Sequence, residues 1–200
     1  MSKARSLTLV LICALVVLPT DGEGAQNKRE KWYTYWGLGG ADPTYPSEVG
    51  SLLDLMGALP GVDRTRMSMD LLGFYVPMSS KMLAGVVVNA SADRLDYGDE
   101  NWMQVNLYTY AASGQYYARQ VGQGLFGRLD VGLAAASVSY DIEGNIEDET
   151  SDSGIGMLVG IGYAYPILPG TRIAFNLNYA MRTIKEEAYS TVGFSVGGLF

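Results

Sequence analysis

The stretch "TRIAFNLNYAMR", residues 171–182, decides the fold. Ile173, Phe175, Leu177, Tyr179 and Met181 hold its odd positions, and Arg172, Ala174, Asn176, Asn178, Ala180 and Arg182 the even ones. A period of two describes a β-strand with one apolar and one polar face. It does not say which face meets water. A soluble barrel turns the apolar face inward, whereas a membrane barrel turns it outward into lipid. Function depends on that choice.

Seven further segments read as strands, at 31–40, 66–77, 81–92, 101–112 with an extension towards 118, 124–140, 154–166 and 188–200. β-Branched and aromatic residues dominate them, and turn formers separate them. The connections "PMSSK" (77–81) and "PILPG" (166–170) are short and nearly uncharged. "DRLDYGDE" (93–100) and "DIEGNIEDETSDS" (141–153) are longer and acidic, and "TIKEEA" (183–188) makes a small loop at the same end. Short turns at one end and long loops at the other are the pattern of an eight-stranded antiparallel up-and-down transmembrane β-barrel, an all-β fold. In the long first connection, 41–65, Val49, Leu52, Leu53, Met56 and Leu59 share one helical face, with Ser47 as N-cap and Pro60 as stop. A short amphipathic helix is expected there: a partner-binding element if its apolar face is exposed, a lid if that face is tucked into the barrel mouth.

Three features turn the apolar faces towards lipid. Several segments reach the roughly 9–11 residues that a tilted strand needs to cross a bilayer. The polar-side positions of 154–166 are Gly154, Gly156, Leu158, Gly160, Gly162 and Ala164, and glycines of that density suit a narrow lumen filled by its neighbours. Lys31, Lys81 and Lys185 lie at segment ends, where a soluble barrel would carry lysines along its strands. In the competing reading the chain is an exported soluble, lipocalin-like barrel.

The N-terminus carries Lys3 and Arg5, the largely apolar run Leu7–Leu18, then Pro19 and small or polar residues. That order is a secretory signal peptide, expected to span 1–24 and to leave a barrel domain at 25–200 after Sec-type export. Cys13, the single cysteine, falls inside the signal, so no disulfide or lipid anchor is expected.

Signal peptide, eight amphipathic strands, acidic loops and a final strand ending in Phe200 together resemble the small outer-membrane β-barrel family of the OmpA/OmpX type. The resemblance covers the chain from about residue 28 to Phe200. It implies a bacterial outer-membrane location, membrane lipid as surroundings, and a C-terminal strand read by the barrel-assembly machinery. Val192, Phe194, Val196 and Phe200 match that assembly signal, while Gly198 stands where a large apolar or aromatic residue is usual. The resemblance covers the barrel alone, with no peptidoglycan-binding domain expected after it, so it implies no tether to the cell wall.

Arg128 and Asp130 fall on one face of 124–140, Asp70 sits between Ser68 and Leu72, and Arg172 and Arg182 lie on the polar face of 171–182. Charges in a narrow lumen must be paired, or each costs several kcal/mol of desolvation. Asp70, Arg128, Asp130, Arg172 and Arg182 are therefore expected to form an ion-pair network, structural or gating. Both faces of 66–77 turn apolar after Asp70, which suggests a bulge near Gly73. Trp32, Trp36, Trp102, Tyr108, Tyr110, Tyr163, Tyr165 and Phe194 are expected to form interfacial girdles or to pack the lumen rather than cage a ligand.

The chain contains no histidine, which excludes Ser–His–Asp and Cys–His catalysis and the usual zinc ligands. The acids of 141–153 lack the spacing of a calcium loop and are read as a solvated, mobile loop. A formal net charge of −7 disfavours nucleic acid as a partner. The expected protein is a monomeric, non-enzymatic outer-membrane barrel without cofactor or metal, giving envelope integrity and presenting acidic loops. The alternatives are an adhesin or receptor-binding surface protein with an extracellular or host partner, and a minor pore gated by the lumen charges.

Overall fold

The computed structural model describes residues 30–98, 101–142, 144–151 and 153–200. The expected signal peptide lies outside them. Eight strands close into one antiparallel barrel: β1 (Tyr33–Thr44), β2 (Asp63–Pro77), β3 (Met82–Gly98), β4 (Asn101–Tyr117), β5 (Gly124–Ile142), β7 (Gly154–Leu168), β8 (Thr171–Ile184) and β9 (Glu187–Leu199). Each pairs with its neighbour in sequence order, and β9 closes the ring on β1 from Tyr35–Leu199 to Thr44–Ser190. One further strand, β6 (Asn145–Thr150), pairs with the upper part of β5, above the level where β7 takes over as β5's partner. The helix α1 (Ser47–Gly57) joins β1 to β2. No helix among the described residues is long and apolar enough to cross a membrane.

The opening alternation resolves in favour of lipid. Along β8, Phe175, Leu177, Tyr179 and Met181 are exposed on the outer wall, whereas Asn176, Asn178 and Arg182 are buried in the lumen. The outer wall then changes character at one level around the barrel. Below it stand exposed apolar side chains such as Leu38, Val86, Leu133 and Ile155. Above it the same outward positions become Asp42, Thr65, Arg94, Asn106, Ser137 and Thr183. An apolar belt with a polar collar is what a bilayer demands of a barrel that projects beyond it. On β4 the belt runs from Tyr108 to Tyr116, about the nine residues a tilted strand needs.

Glycines shape the interior. An added Cβ on Gly156 would meet Thr109, on Gly160 the Asn178 side chain, and on Gly162 the Phe126 ring. The glycine face of β7 therefore makes room for side chains from β4, β5 and β8, as eight strands leave an interior just wide enough for side chains.

Four expectations need correction. The bulge in β2 lies at Leu71, between Asp70 and Leu72, not at Gly73. The extra residue shifts the inward set from Ser68 and Asp70 to Gly73 and Tyr75 and leaves Leu71 and Leu72 both outside. The acidic segment 93–100 is not a loop as far as Gly98, because β3 stays paired with β4 that far. Much of 141–153 is likewise a β5–β6 hairpin, paired from Ile142–Asn145 to Ser137–Thr150. At 183–188 the chain turns in two residues, Lys185 and Glu186, both at positive φ. That is the backbone of a tight hairpin whose twist matches its strands.

Candidate functional site: a filled lumen under a helical lid

The lumen is filled in layers. At the short-turn end, Tyr33, Tyr35, Tyr75, Leu83, Tyr117, Phe126 and Leu199 form a buried cluster that plugs the barrel. Arg172 lies at that end and pairs with Glu30 at 3.1 Å, with its guanidinium 5.2 Å from the Tyr33 ring centroid. It stands apart from the central charges, so the expected five-member network loses this member. Inward parity was legible in the sequence; height along the barrel axis was not.

Above the plug, Arg128 is held on two sides. Its Nη1 and Nη2 donate to the Asp70 carboxylate at 2.9 and 2.8 Å, and its Nε and Nη2 donate to Asp130 Oδ2 at 2.9 and 2.7 Å. The side chains of all three are at most 1% exposed. Ser113 donates to Asp130, and Asn89 Nδ2 donates to Asp70 at 3.1 Å. Such a bidentate fork suits arginine and not lysine.

One layer higher, Arg182 is buried with neutral acceptors. It donates to Thr109 Oγ1 at 2.9 Å, Thr191 Oγ1 at 3.2 Å and Asn89 Oδ1 at 2.8 Å. The Asn89 amide therefore bridges the cation to the Asp70 anion, with its dipole aligned between them. Asp70 and Asp130 against Arg128 and Arg182 leave the filled middle of the barrel formally neutral. Sequence reasoning identified those four and missed Asn89, Ser113 and Thr109, because a neutral polar side chain on an inward face carries no distinguishing signal.

At the long-loop end, Arg64 and Arg66 of β2 meet Asp93 of β3, all three pointing inward. Arg64 donates to both oxygens of Asp93, from Nε at 2.8 Å and Nη2 at 2.7 Å, and from Nη1 to Asp54 of α1 at 2.7 Å. Arg66 donates to Asp42 at 2.7 Å, while its buried Nε makes no hydrogen bond and lies 3.5 Å from Asp93. Helix α1 crosses the mouth above them. Leu53, 1% exposed, packs on Leu95 and Val105, with Val49, Met56, Tyr45, Met103 and Val138 among the residues packed around them. Gly57 lets the helix sit close, since a Cβ there would press on Arg64 Cδ.

The five residues expected on one helical face divide. Val49, Leu53 and Met56 are tucked into the mouth, whereas Leu52 and Leu59 are about half exposed and share an outer stripe with Leu55. Ser47 is the first helical residue and not the cap; Pro46 precedes it without a side-chain hydrogen bond. Two titrating groups belong to the lid. The Arg64 hydrogen bond holds the exposed Asp54 carboxyl below its ordinary range, and burial pushes the Tyr45 phenol well up, with the Asp93 charge adding to it.

In β9, Val192, Phe194 and Val196 face the lipid side, and Phe200 stacks on Trp36 with centroids 6.4 Å apart. The space of an absent Gly198 Cβ is filled by the Phe200 ring. A large residue at 198 would displace the terminal ring. Trp32 stacks on Phe74, and Tyr108 on Tyr110, along the outer wall, as expected of girdle residues. Among the described residues no group of three or more Asp, Glu, His or Cys side chains could hold a metal ion.

No protein-family model matches the chain, and no curated protein is significantly similar to it in sequence. Solved structures do match in fold. Ail, the attachment invasion locus protein of Yersinia pestis, solved with the heparin analogue sucrose octasulfate, superposes with a TM-score of 0.51 at 10% identity, over 86% of this chain and all of Ail. Neisserial surface protein A superposes with a TM-score of 0.53 at 16% identity, over 85% of this chain and 96% of its own. The chain therefore has the fold of the small eight-stranded outer-membrane barrels.

Proposed function

We propose that this protein is a non-enzymatic outer-membrane barrel that reinforces the envelope as a sealed cylinder and presents an acidic surface outward. The observation that carries this reading is the layered packing of the lumen by buried aromatic and ion-paired side chains. Among the described side chains an aromatic plug, a neutral charge network and a helix-capped salt-bridge layer follow one another along the barrel axis. A gate would require Arg128 to leave two carboxylates at once, at a cost of several kcal/mol for each charge left buried and unpaired. Planar-bilayer recordings test this directly. Neither the wild type nor Arg128→Ala is expected to conduct, and stepwise channels in the wild type would overturn the sealed-cylinder reading. Deleting the protein from its host is expected to sensitise cells to detergent and bulky antibiotics.

A second reading, surface recognition, draws on the half-exposed stripe Leu52, Leu55 and Leu59 on the outward side of α1. Exposed apolar stripes rimmed by polar residues commonly mark contact sites. The polyanion bound by Ail is a poor guide here. At this end the bases among the described residues are Arg64, Arg66, Arg94 and Lys185, and the two lid arginines are already neutralised by Asp42, Asp54 and Asp93. An acidic mouth repels a polysulfated ligand and favours a basic or apolar partner. Deleting 47–60 and measuring host-cell binding tests this reading; unchanged adhesion would remove it.

A further inference from the structure

The lipid-facing wall is not uniform. On β2, β3 and β4 it sinks into a recess of about 420 Å³, whose outward residues are Leu72, Phe74, Val86, Val88, Tyr110 and Ala112. The hollow comes from small side chains between large ones. Ala112 lies between Tyr110 and Tyr116, and next below it Gly114 has open space where a Cβ would stand. Being sunk into the apolar belt, the recess is covered by whatever the bilayer supplies.

Its upper end is different in kind. Tyr108 and Tyr110 stack with centroids 6.4 Å apart, and above them the outer wall turns to amides and hydroxyls. Gln104 Nε2 donates to Asn106 Oδ1 at 2.6 Å, and Asn106 Nδ2 donates to Ser137 Oγ at 3.4 Å. Asn106 is only 6% exposed although it points out of the barrel, which fixes it as a rigid ledge. The cation above the ledge, Arg94, is already bridged to Asp96 at 2.7 Å and lies 4.5 Å from the Trp102 ring centroid. A ledge of neutral donors and acceptors with its cation satisfied recognises hydroxyls better than a phosphate of net negative charge.

We propose that this face is a lipid-selective site: one acyl chain lies in the recess, and the hydroxyl-bearing headgroup of the same lipid, a glycolipid of the outer leaflet, bonds to the half-buried Gln104 and Ser137, which the buried Asn106 holds in place. The stacked Tyr110 and Tyr108 join the apolar groove to the polar ledge along β4, and tail and head of one lipid span that order, which a second protein copy would not require. The recess is independent of the lumen and lid, so its loss leaves the sealed cylinder intact.

The test uses the folded full-length protein in nanodiscs containing equal amounts of a monoglucosyl diacylglycerol and phosphatidylglycerol with identical acyl chains. After release into mild detergent, native mass spectrometry reads the retained lipid. The wild type is expected to keep one glucosyl lipid with about a tenfold preference, equivalent to about 1.4 kcal/mol. Ala112→Trp fills the recess and should abolish retention. Gln104→Ala keeps the recess and should equalise the two lipids. Leu177→Trp lies on β8, opposite β3 across the barrel, and should behave as wild type. Heat-modifiable gel migration confirms that each variant is folded. Equal retention of both lipids by the wild type overturns the proposal. So does retention by folded Ala112→Trp, or a dimer mass in place of bound lipid.

Discussion

The barrel contains two arginine–aspartate clusters of similar composition, and they differ chiefly in access to water. In the lumen, Arg128 is shared by Asp70 and Asp130, with every member at most 1% exposed. At the mouth, Arg64 is shared by Asp93 and Asp54, but the Asp54 side chain is 71% exposed. The chemistry is the same and its consequences are not. A buried pair adds little net stability over an apolar packing, yet removing one partner strands the other in a medium that cannot solvate it. A half-solvated pair loses mainly geometry. The inner cluster ties β5 to β2 across the lumen, while the outer cluster ties helix α1 to the barrel mouth.

Four substitutions, from the largest effect to the smallest, test that contrast. Arg128→Ala leaves Asp70 and Asp130 buried without a cation and should cost about 3–5 kcal/mol, read as a lowered urea midpoint for refolding into detergent micelles. If it cost under 1 kcal/mol, water would have to reach the lumen centre. Leu53→Ala removes the apolar peg of the lid and should cost about 2–3 kcal/mol of the lid's own docking, at the low end for a buried leucine. The barrel should still migrate as folded while proteolysis within 47–60 accelerates. Arg182→Met removes charged hydrogen bonds to Thr109, Thr191 and Asn89 and unbalances the lumen by one charge, for about 2 kcal/mol. Asp54→Asn should leave the barrel's midpoint unchanged and only loosen the lid.

The last substitution has a pH counterpart. The Asp54 carboxyl is held below its ordinary range in the folded protein. Its contribution is therefore fully present above the unfolded value, about pH 4, and is lost as pH falls through the lower folded value. Limited proteolysis of the lid should be constant from pH 8 to 5 and should rise only in stronger acid. In Asp54→Asn that rise should vanish. A rise near pH 6 in the wild type would point to a different group.

The legible and illegible parts of the sequence divide along the same boundary, the edge of the bilayer. Within the apolar belt every strand contrasts lipid with lumen, so Phe175 beside Asn176 declares its face. Above the belt the outward face meets water and the inward face mixes charges such as Asp93 with the apolar cluster under the lid, so alternation weakens. For that reason the upper parts of β3 and β5, "DRLDY" and "SYDI", resemble loops although they are paired. Charged residues on an inward face are recognisable because a buried charge needs partners, but the sequence does not say of what kind. Arg128 meets two carboxylates, whereas Arg182, expected in the ion-pair network, is held by neutral acceptors. Arg172 was misassigned because parity gives a direction and not a depth. The helix is legible from its periodicity, but of the five apolar residues expected on one face Val49, Leu53 and Met56 face the mouth, while Leu52 and Leu59 join Leu55 on an outer stripe. Nothing in a single sequence says which of them meets the barrel.

The offset at Leu71 means that β2 contains one residue more than its partners require. Excising Leu71 should leave Asp70, Gly73 and Tyr75 inside and Leu72, Phe74 and Val76 outside, in an unbroken ladder. Excising Leu38 from β1, where no spare exists, would turn half a strand inside out. The cylinder should tolerate shortening at one point on its circumference and refuse it at the next, a difference that refolding yields of the two deletions would reveal.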